Sequence, residues 1–462
     1  MSDTHESGSH THAHDHGVEG PGYATPQAAI EESSREELAY VMGLYVGTDV
    51  DAPDFVAVVD LDPTSDTYAE VIDRVVMPNK GDELHHFGWN ACSSSCHVEG
   101  LERRHLLVPG QRSSRIHVID TEDRRNPELE TVIEPEEVYE QDLGAPHTVH
   151  CIPDGEILIS MLGDGVGELP GGFLTINDDF EVTGRWDTPG DIQMNYDFWY
   201  QPRQNAMVST EWAAPETYYS GFDMEDVEAG KYGHRLHFWD WNERTVEQTI
   251  DLGEEGLLPL EVRFLHTPVS THGFVGATLS SNIFHFWEED DEYHAEKVID
   301  FESREHEAWD MPAPPLPTDI LISMDDRHLF GSNWLHGEVF MYDISDPENP
   351  READTLSVGG LFGDIQSVQG RDLVAGPQML QLSLDGERLY WTTSLFSSWD
   401  NQFFPEEGER GSVMLKADVD PRRGTLELDR DFLVDFGEVG PGPARAHEIR
   451  WPDGDCTSDV WQ

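Results

Sequence analysis

The chain has 462 residues, of which 37% are hydrophobic and 10% aromatic, so it can bury a core and is not disordered throughout. Its formal net charge of −64, from 92 acidic against 28 basic residues, argues against binding nucleic acid, whose phosphates it would repel. Because no apolar run is long enough to span a bilayer and no leader pattern is visible, we predict a soluble, cytoplasmic protein without membrane contact.

Arginine supplies most of the basic residues, since the lysines are only Lys80, Lys231, Lys297 and Lys416. A carboxylate-rich surface of this kind repels itself in dilute salt. At molar salt the Debye length falls to about 3 Å and the repulsion is screened. We therefore predict a halophilic protein that works in a cytoplasm of very high salt.

The first element in chain order is a histidine-rich tail, which we predict to be disordered over residues 1–19. Its histidines are His5, His10, His12, His14 and His16. Spaced in this way they form either a solvated arm or a loose chelator of transition metals. Residues 20–462 are predicted to form a single folded domain.

That domain is built from a repeat, a short apolar strand that ends in an acidic or amide residue. It occurs seven times, at residues 56–60, 116–120, 173–177, 236–240, 284–288, 339–343 and 414–418. A second extended segment, here named strand A, precedes each of the last six copies and runs into a turn. Short strands with turns at this repeat length predict an all-β fold, a β-propeller of seven four-stranded blades.

The two chain ends explain how the ring closes. The N-terminal strands at residues 38–45, 54–61 and 68–76 lack a strand A, whereas residues 446–452 form a strand A without a blade. Pairing the N-terminal strands with the C-terminal strand completes the seventh blade and removes exposed strand edges. Two separate β-sandwiches, the alternative, would leave the C-terminal strand unexplained.

Strand A is the innermost strand of a blade, so its first residues line the central channel. In almost every repeat these residues are polar or ionisable: His85, His86, His147, Asp197, Glu261, Asp319, Gln378 and His447. His336 lies on a turn that opens on the same face and is expected to join them. Buried polar groups on one axis are satisfied by water, by one another or by a cation.

The imidazoles favour a metal centre, with ligands drawn from His85, His86, His147, His336 and His447. Neutral imidazoles suit copper, zinc, iron or nickel better than magnesium or calcium. Asp197 and Asp319 are candidates to orient the ring nitrogens. The alternative is a water-filled channel with structural histidines.

The remaining candidates lie towards the opposite face. His150 and His266 come later in their strands and are predicted to be structural or supporting residues. Cys92 and Cys96, spaced C-x3-C, match neither a zinc ribbon nor a thioredoxin-like site. They are predicted to bind the same metal ion as His86 only if their loop folds back along the channel, so they are secondary candidates. Four cysteines do not make a disulfide scaffold, so Cys151 and Cys456 are predicted to be core or turn thiols.

Several long motifs closely resemble the selenium-binding protein family, which includes the methanethiol oxidases. They lie at residues 20–26 (GPGYATP), 82–94 (DELHHFGWNACSS), 196–203 (YDFWYQPR), 209–215 (STEWAAP), 226–234 (DVEAGKYGH), 261–266 (EVRFLH), 332–338 (SNWLHGE), 375–386 (AGPQMLQLSLDG) and 446–459 (AHEIRWPDGDCTSD). The resemblance covers the chain from about residue 20 to its end.

This resemblance implies a seven-bladed propeller that oxidises methanethiol with dioxygen and water to formaldehyde, hydrogen sulfide and hydrogen peroxide, with copper in bacterial members. The matching histidines are His85, His86, His147, His150, His266, His336 and His447. The family's selenium-linked cysteine falls near residues 68–70, where this chain has none, and the family's C-x2-C is C-x3-C here. Selenium is therefore not the cofactor we expect.

The resulting hypothesis is a copper ion held by three or four of His86, His147, His336 and His447, with a small alkanethiol and dioxygen as reactants. Asp319 or Glu261 would move protons. Candidate substrate contacts are Trp199, Trp212 and Trp334. Two alternatives remain: a non-catalytic propeller that binds metal, selenium or proteins, and a lactonase-like hydrolase, which would need more axial carboxylates.

Overall fold

The structure is a computed structural model that describes residues 20–307, 309 and 311–461. The histidine-rich tail predicted over residues 1–19 lies outside the described residues. The strands of the described part form seven antiparallel blades around a central axis, together with one small two-stranded hairpin, which confirms the predicted β-propeller. We number the blades I to VII in chain order. In the described ranges, no helix is both long and apolar enough to cross a membrane.

Blades I to III occupy the N-terminal part of the chain. Their strands are β1 (Leu38–Leu44), β2 (Phe55–Asp60) and β3 (Val71–Val76) in blade I; β4 (Gly88–Trp89), β5 (His105–Pro109), β6 (Ile116–Asp120) and β7 (Glu128–Ile133) in blade II; and β8 (Gly144–Cys151), β9 (Ile157–Gly163), β10 (Gly172–Ile176) and β11 (Val182–Arg185) in blade III.

Blades IV to VI continue the ring. Their strands are β12 (Phe198–Gln201), β13 (Ala206–Thr210), β14 (Arg235–Asp240) and β15 (Thr245–Asp251) in blade IV; β16 (Pro259–Phe264), β17 (Gly273–Ala277), β18 (Asn282–Glu289) and β19 (Glu292–Asp300) in blade V; and β20 (Pro317–Ile322), β21 (His328–Asn333), β22 (Glu338–Asp343) and β23 (Arg351–Ser357) in blade VI.

Blade VII and the closing strand follow a small hairpin. The strands are β24 (Ser367–Val368) and β25 (Arg371–Asp372) in the hairpin; β26 (Leu380–Leu382), β27 (Arg388–Trp391), β28 (Val413–Asp420), β29 (Thr425–Leu428) and β30 (Val434–Asp435) in blade VII; and β31 (Arg445–Arg450) at the end. Strand β31 pairs antiparallel with β1, placing Tyr40 opposite Arg450. It becomes the inner strand of blade I, and this confirms the predicted closure.

Burial falls from the axis to the rim, as expected for a ring of stacked sheets. Every residue of β8 and β16 is buried, whereas β15 alternates between exposed and half-buried positions along its length. The inner strands have neighbours on both faces and the outer strands have water on one, so a two-residue period appears in outer strands such as β15 and β29 but in none of the inner strands of the described part. Aromatic rings from adjacent strands, such as Phe173 and Trp239, fill the space between blades III and IV.

Helices are few and most of them gather on one face. They are α1 (Pro26–Glu32), α2 (Pro135–Tyr139), α3 (Pro215–Tyr218), α4 (Met224–Glu228), α5 (Ser397–Phe403) and α6 (Pro405–Arg410). Helices α3 and α4 connect β13 to β14, and α5 and α6 connect β27 to β28. Together with the described residues of the connection at 301–316 they form an apolar layer, here named the cap, over the face where the inner strands begin.

The C-terminal segment packs across the opposite face, past the end of β31. Residues 455–461 are buried. The Asp459 carboxylate accepts hydrogen bonds from the Ser93 backbone N–H (2.9 Å) and hydroxyl (2.6 Å), and it pairs with Arg103 (2.5 Å). These contacts tie the chain end to blade II.

Candidate functional site

Four histidine rings meet at the face covered by the cap, and we call this group the hub. The centroids of the His85 and His447 rings lie 4.1 Å apart and nearly parallel, and those of His86 and His147 also lie 4.1 Å apart. Each ring stands at or just before the start of an inner strand: His447 in β31, His85 and His86 before β4, and His147 in β8. Blades I, II and III are neighbours around the ring, so their strand starts converge.

The hub has the donor set of a metal centre. One nitrogen from each of His85, His86 and His147 lies within 4.8 Å of the others. His447 is not in that group by the distances between nitrogens, yet its ring lies against His85 and its centroid is 5.5 Å from that of His86. All four rings are at least 97% buried.

Hydrogen bonds at Nδ1 orient three of these rings. His86 Nδ1 lies 3.2 Å from Glu448 Oε1, His147 Nδ1 lies 3.0 Å from Thr148 Oγ1, and His447 Nδ1 lies 2.7 Å from the Ser394 carbonyl oxygen. The Thr148 hydroxyl in turn donates to the Asp197 carboxylate (2.9 Å). An Nδ1–H that donates leaves a lone pair on Nε2.

The other nitrogen of each of these rings is left free. Nε2 of His86, His147 and His447 is buried and has no hydrogen-bond partner among the described residues. A buried nitrogen without a partner is costly unless something binds it. Unpartnered nitrogens on three adjoining rings fit a cation that prefers nitrogen ligands, such as copper or zinc.

Burial keeps the hub uncharged. It lowers the pKa of His85, His86 and His147 well below the usual histidine value, and the pKa of His447 to about 4. Repulsion between the neighbouring rings adds to the effect on the first three. The rings are therefore neutral near pH 7, which is the state in which imidazole binds metals.

A layer of ion pairs lies next to the hub in the channel. Arg263 bonds Asp197 (2.5 Å) and Glu261 (2.6 Å). Within the described part of the chain the second oxygen of Glu261, Oε1, has no hydrogen-bond partner, and it lies 3.9 Å from His86 Nε2. Burial raises the pKa of Glu261 well above its usual value, and the Asp197 charge raises it further. This carboxyl can hold or release a proton beside the hub.

A second carboxyl of the channel, Asp319, is also incompletely bonded. Its Oδ2 accepts from the Leu380 backbone N–H (2.6 Å), while Oδ1 is buried and has no hydrogen-bond partner among the residues that the structure describes. Burial raises the pKa of Asp319 to about 7, against the opposing effect of Arg263.

Glu448 and Arg450 are the site residues that our sequence reasoning missed. Arg450 bonds Glu448 at 2.5 Å, and Glu448 in turn meets His86. A repeated triplet in the sequence could have identified them. Residues 448–450 (EIR) resemble residues 261–263 (EVR) and occupy the same position in strand A.

The structure does not bring His336 to the hub. The His336 ring lies on the turn between β21 and β22, its Nε2 meets the Ala313 carbonyl oxygen at 2.9 Å, and its ring contacts Phe362. We predicted that His336 joins the other histidines because its turn opens on the same face of the ring. His336 belongs to blade VI, however, which is not a neighbour of blades II and III, and its turn lies away from the hub.

The supporting histidines face other partners. His150 is buried against Phe198 and Trp199 (centroids 5.1 and 5.0 Å), and neither of its nitrogens has a hydrogen-bond partner in the described part of the chain. His266 Nε2 meets the Ile322 carbonyl oxygen at 2.9 Å. Both lie further along their strands than the hub residues.

The cysteines differ from our expectation. Cys92 forms a disulfide with Cys151, with the two Cα atoms 6.1 Å apart, so Cys151 is not the thiol that we predicted and Cys92 is not free to act as a secondary ligand. The bond joins the loop after β4 to the end of β8, across blades II and III, and residues 59 apart in sequence gave no sign of it. Cys96 and Cys456 are free thiols, and Cys96 is half-buried.

The three tryptophans named from the sequence separate into different environments. Trp212 lies in the cap and meets Tyr196 (5.3 Å), whose ring lies 4.0 Å from that of His147. Trp199 packs on Arg263 (5.1 Å) in the channel. Trp334 contacts Phe404 (5.0 Å) in the cap.

A second group with metal-ligand spacing lies on the outside of blade II. His105, Asp120 and Glu130 place their ligand atoms within 4.8 Å of one another, but none of the three is buried. Asp120 is engaged by Arg104 through two bonds of 2.7 and 2.6 Å. Because its carboxylate is already paired, this group is a weaker candidate than the hub.

Comparisons with known proteins point in one direction. Residues 17–462 match the family described as 56 kDa selenium binding protein. A methanethiol oxidase of Xenopus laevis is 49% identical, covering 96% of this chain and 98% of that protein. Selenium-binding protein 2 of Arabidopsis thaliana is 49% identical, covering 96% and 95%. The X-ray structure of a hypothetical selenium-binding protein from Sulfolobus tokodaii superposes with a TM-score of 0.90 at 42% identity, covering 95% and 98%.

Proposed function

The chain belongs to the 56 kDa selenium-binding protein family, and from this premise we propose that it is a methanethiol oxidase. Relatives at about half identity over nearly the whole chain carry that name. In the proposed reaction methanethiol, dioxygen and water give formaldehyde, hydrogen sulfide and hydrogen peroxide. The carbon loses two electrons, dioxygen gains two, and water supplies the aldehyde oxygen.

One observation carries the proposal: one nitrogen from each of His85, His86 and His147 lies within 4.8 Å of the others. Nε2 of His86 and Nε2 of His147 are both buried without a hydrogen-bond partner among the described residues. These three histidines would hold a copper ion, with His447, whose ring lies against that of His85, as the candidate fourth ligand. Copper bound there would supply a soft acid for the thiolate sulfur and a redox couple between thiol and dioxygen. Glu448, Thr148 and the Ser394 carbonyl fix the ring orientations.

The side chains around the hub exclude water and shape the reaction space. The Tyr196 ring lies 4.0 Å from that of His147, and the Phe396 ring lies 5.6 Å from that of His85. Both side chains are at least 98% buried. An apolar cover of this kind suits a small thiol and strengthens electrostatic interactions inside.

Glu261 is the group best placed to move the thiol proton. Its free oxygen Oε1 points towards the hub, 3.9 Å from His86 Nε2, while Arg263 holds the other oxygen. Asp319, also with a free oxygen in the channel, is a second proton carrier. A carboxyl with a raised pKa can both accept a proton and return it near neutral pH.

The proposal is tested by elemental analysis combined with product detection on the purified protein in molar salt. We expect a stoichiometric metal, identified as copper, and peroxide and sulfide that form only when methanethiol is added. The five tail histidines should be substituted in a parallel preparation, so that metal held there is not counted. Stoichiometric metal without peroxide would instead support a non-catalytic metal carrier.

Catalysis in a salt-rich cytoplasm is also part of the proposal. The net charge of −64 supports it, because this repulsion needs screening. Activity that rises from dilute to molar salt, without a change in metal content, is the expected result.

A further inference from the structure

The cap contains an apolar pocket of about 300 Å³ that is separate from the hub. Its wall comes from five connections on one face of the ring: the segment around α4, Leu257 before β16, the turn after β17, the described residues of the segment at 303–316, and helix α5. Carbon and thioether groups dominate its lining, with Ser303 as the polar exception. Residues central to the argument are Met224, Leu279, Met311, Trp399 and Phe403.

The rim of this pocket exposes apolar side chains on a protein whose surface is otherwise strongly acidic. Met224 is 48% exposed and Met311 is 55% exposed, and both line the pocket. Exposed apolar patches of this kind mark binding sites more often than chance allows. A methionine-lined wall is polarisable and adapts to ligands of different shape.

A continuous series of aromatic rings joins the pocket to the hub. Trp399 forms part of the pocket wall and its ring lies 6.4 Å from that of Trp212. Trp212 lies 5.3 Å from Tyr196, and Tyr196 lies 4.0 Å from His147. No charged side chain is part of this series.

The lining of the pocket narrows the choice of ligand. None of its described lining residues carries a charge, so nothing there offsets the cost of burying a thiolate or another anion. A neutral alkanethiol avoids that cost, because an apolar pocket desolvates it readily. The volume of about 300 Å³ is larger than a molecule of a few heavy atoms, so such a molecule fits inside it with space left over.

We propose that this pocket binds the small, uncharged alkanethiol before it reaches the hub. The proposal rests on the proposed function for its choice of ligand. The pocket also has room for alkyl chains longer than one carbon, so the restriction on substrate size lies nearer the histidines, at Tyr196 and Phe396.

The test uses dimethyl sulfide, a thioether that resembles the substrate but has no thiol hydrogen, on the full-length protein stripped of metal. With methyl-labelled methionine, we expect saturable shifts of the Met224 and Met311 methyl signals. A ligand of three heavy atoms predicts a Kd on the order of 1 mM. Because no turnover is involved, the result does not depend on whether the oxidase activity exists.

Substitutions in the pocket show whether the ligand that causes the methyl shifts binds there. Leu279→Trp fills the cavity and Met311→Glu places a charge on its rim, and each should weaken binding at least about fivefold. Val269→Trp is the matched control, because Val269 is 66% exposed on the turn between β16 and β17, at the other end of blade V. It should leave the shifts unchanged.

Three outcomes would overturn the proposal. They are the absence of saturable shifts in the unsubstituted protein, shifts that persist in both pocket variants, and methyl signals that change on dilution without ligand. The last would show that the patch binds a second copy of the chain.

In metal-loaded protein, Leu279→Trp should raise KM for methanethiol while kcat stays within about twofold of the unsubstituted value.

Discussion

Two groups of side chains in the described part of this protein have the spacing of metal ligands, and they differ in almost every other respect. The hub is at least 97% buried, and its histidines face one another with neutral rings. The outer group on blade II is open to water, and its members are paired with other residues: His105 with Glu130 at 2.8 Å, and Asp120 with Arg104.

The difference teaches that distance alone is a poor guide to a metal site. What separates the two groups is the state of the remaining atoms. In the hub, Nδ1 is engaged by a fixed acceptor and Nε2 is free, as in His447. In the outer group the atoms that would bind a metal already bond one another or an arginine. In a metal site that is ready to bind, one nitrogen of each ring is held by a hydrogen-bond acceptor and the other nitrogen is free to bind the metal.

The largest expected effect comes from removing one ring of the hub. We expect His147→Ala to lower copper affinity at least about 100-fold, since losing a group that merely orients a ligand already costs 10–100-fold. Peroxide formation from methanethiol should be lost with the metal. Measurement is by competition with a chelator of known affinity.

The matched substitution in the outer group is His105→Ala. It should leave metal content and turnover unchanged. Equal loss of metal in both variants would contradict the assignment of the hub, and loss in His105→Ala alone would move the site to blade II.

A smaller effect is expected from the group that orients His86. Glu448→Gln keeps the shape of the side chain but removes the charge that accepts from Nδ1, and copper affinity should fall 10–100-fold. Arg450 keeps other partners, including Asp455 at 3.3 Å and the Phe87 carbonyl oxygen, so its charge is not stranded. The copper Kd is measured together with the free energy of unfolding of the metal-free protein, so that a loss of affinity is distinguished from a loss of stability.

The control for that variant is Glu130→Gln, which changes the partner of His105 in the same way. No change in copper Kd is expected there. If Glu448→Gln binds copper as tightly as the unsubstituted protein, Glu448 has no part in orienting the ligand.

The hub histidines on inner strands could be predicted from the sequence because the relevant information is local. His147 and His447 each stand at the start of a strand A, and a propeller brings every such start to one axis. The same reasoning gave the closure of β31 on β1. Both results depend on a repeat that can be read directly along the chain.

Features that depend on which blades are neighbours, or on irregular insertions, could not be predicted. His336 has the right turn and face but lies in blade VI. Cys92 and Cys151 meet only because blades II and III are adjacent. Helix α5, which contributes Trp399 to the cap, lies within an insertion that has no counterpart in most blades.

Buried and exposed carboxyls extend the comparison to stability. Asp400 is fully buried in α5, where it accepts from the Ser394 hydroxyl (2.6 Å) and the Leu395 backbone N–H (2.9 Å). Burial, together with the charge of Glu407, raises its pKa to about 8. Between about pH 4 and pH 8 the folded state therefore holds a proton that the unfolded chain has lost, so this group makes stability fall as the pH rises.

Asp400→Asn removes that titration. Between pH 6 and pH 8 the free energy of unfolding should fall in both proteins, but the fall should be about 1–2 kcal/mol smaller in the variant than in the unsubstituted protein. Denaturant unfolding at the two pH values in molar salt measures the difference. An unchanged pH dependence would show that Asp400 is ionised in the folded protein.

The smallest effect is expected from the exposed carboxyl of the outer group. Arg104 lowers the pKa of Asp120 to about 2, so its stabilising contribution is present above pH 4 and is lost as the pH falls towards 2, the opposite direction to Asp400. Exposed pairs contribute about 0.2–1 kcal/mol, and molar salt screens them further. Asp120→Asn should therefore cost less than about 1 kcal/mol at pH 7, and its effect should disappear near pH 2. Metal content should stay the same, because a carboxylate already paired with Arg104 gains little by exchanging that partner for a cation. A loss of metal in this variant would show that the outer group binds metal as well, and the distinction drawn between it and the hub would be wrong.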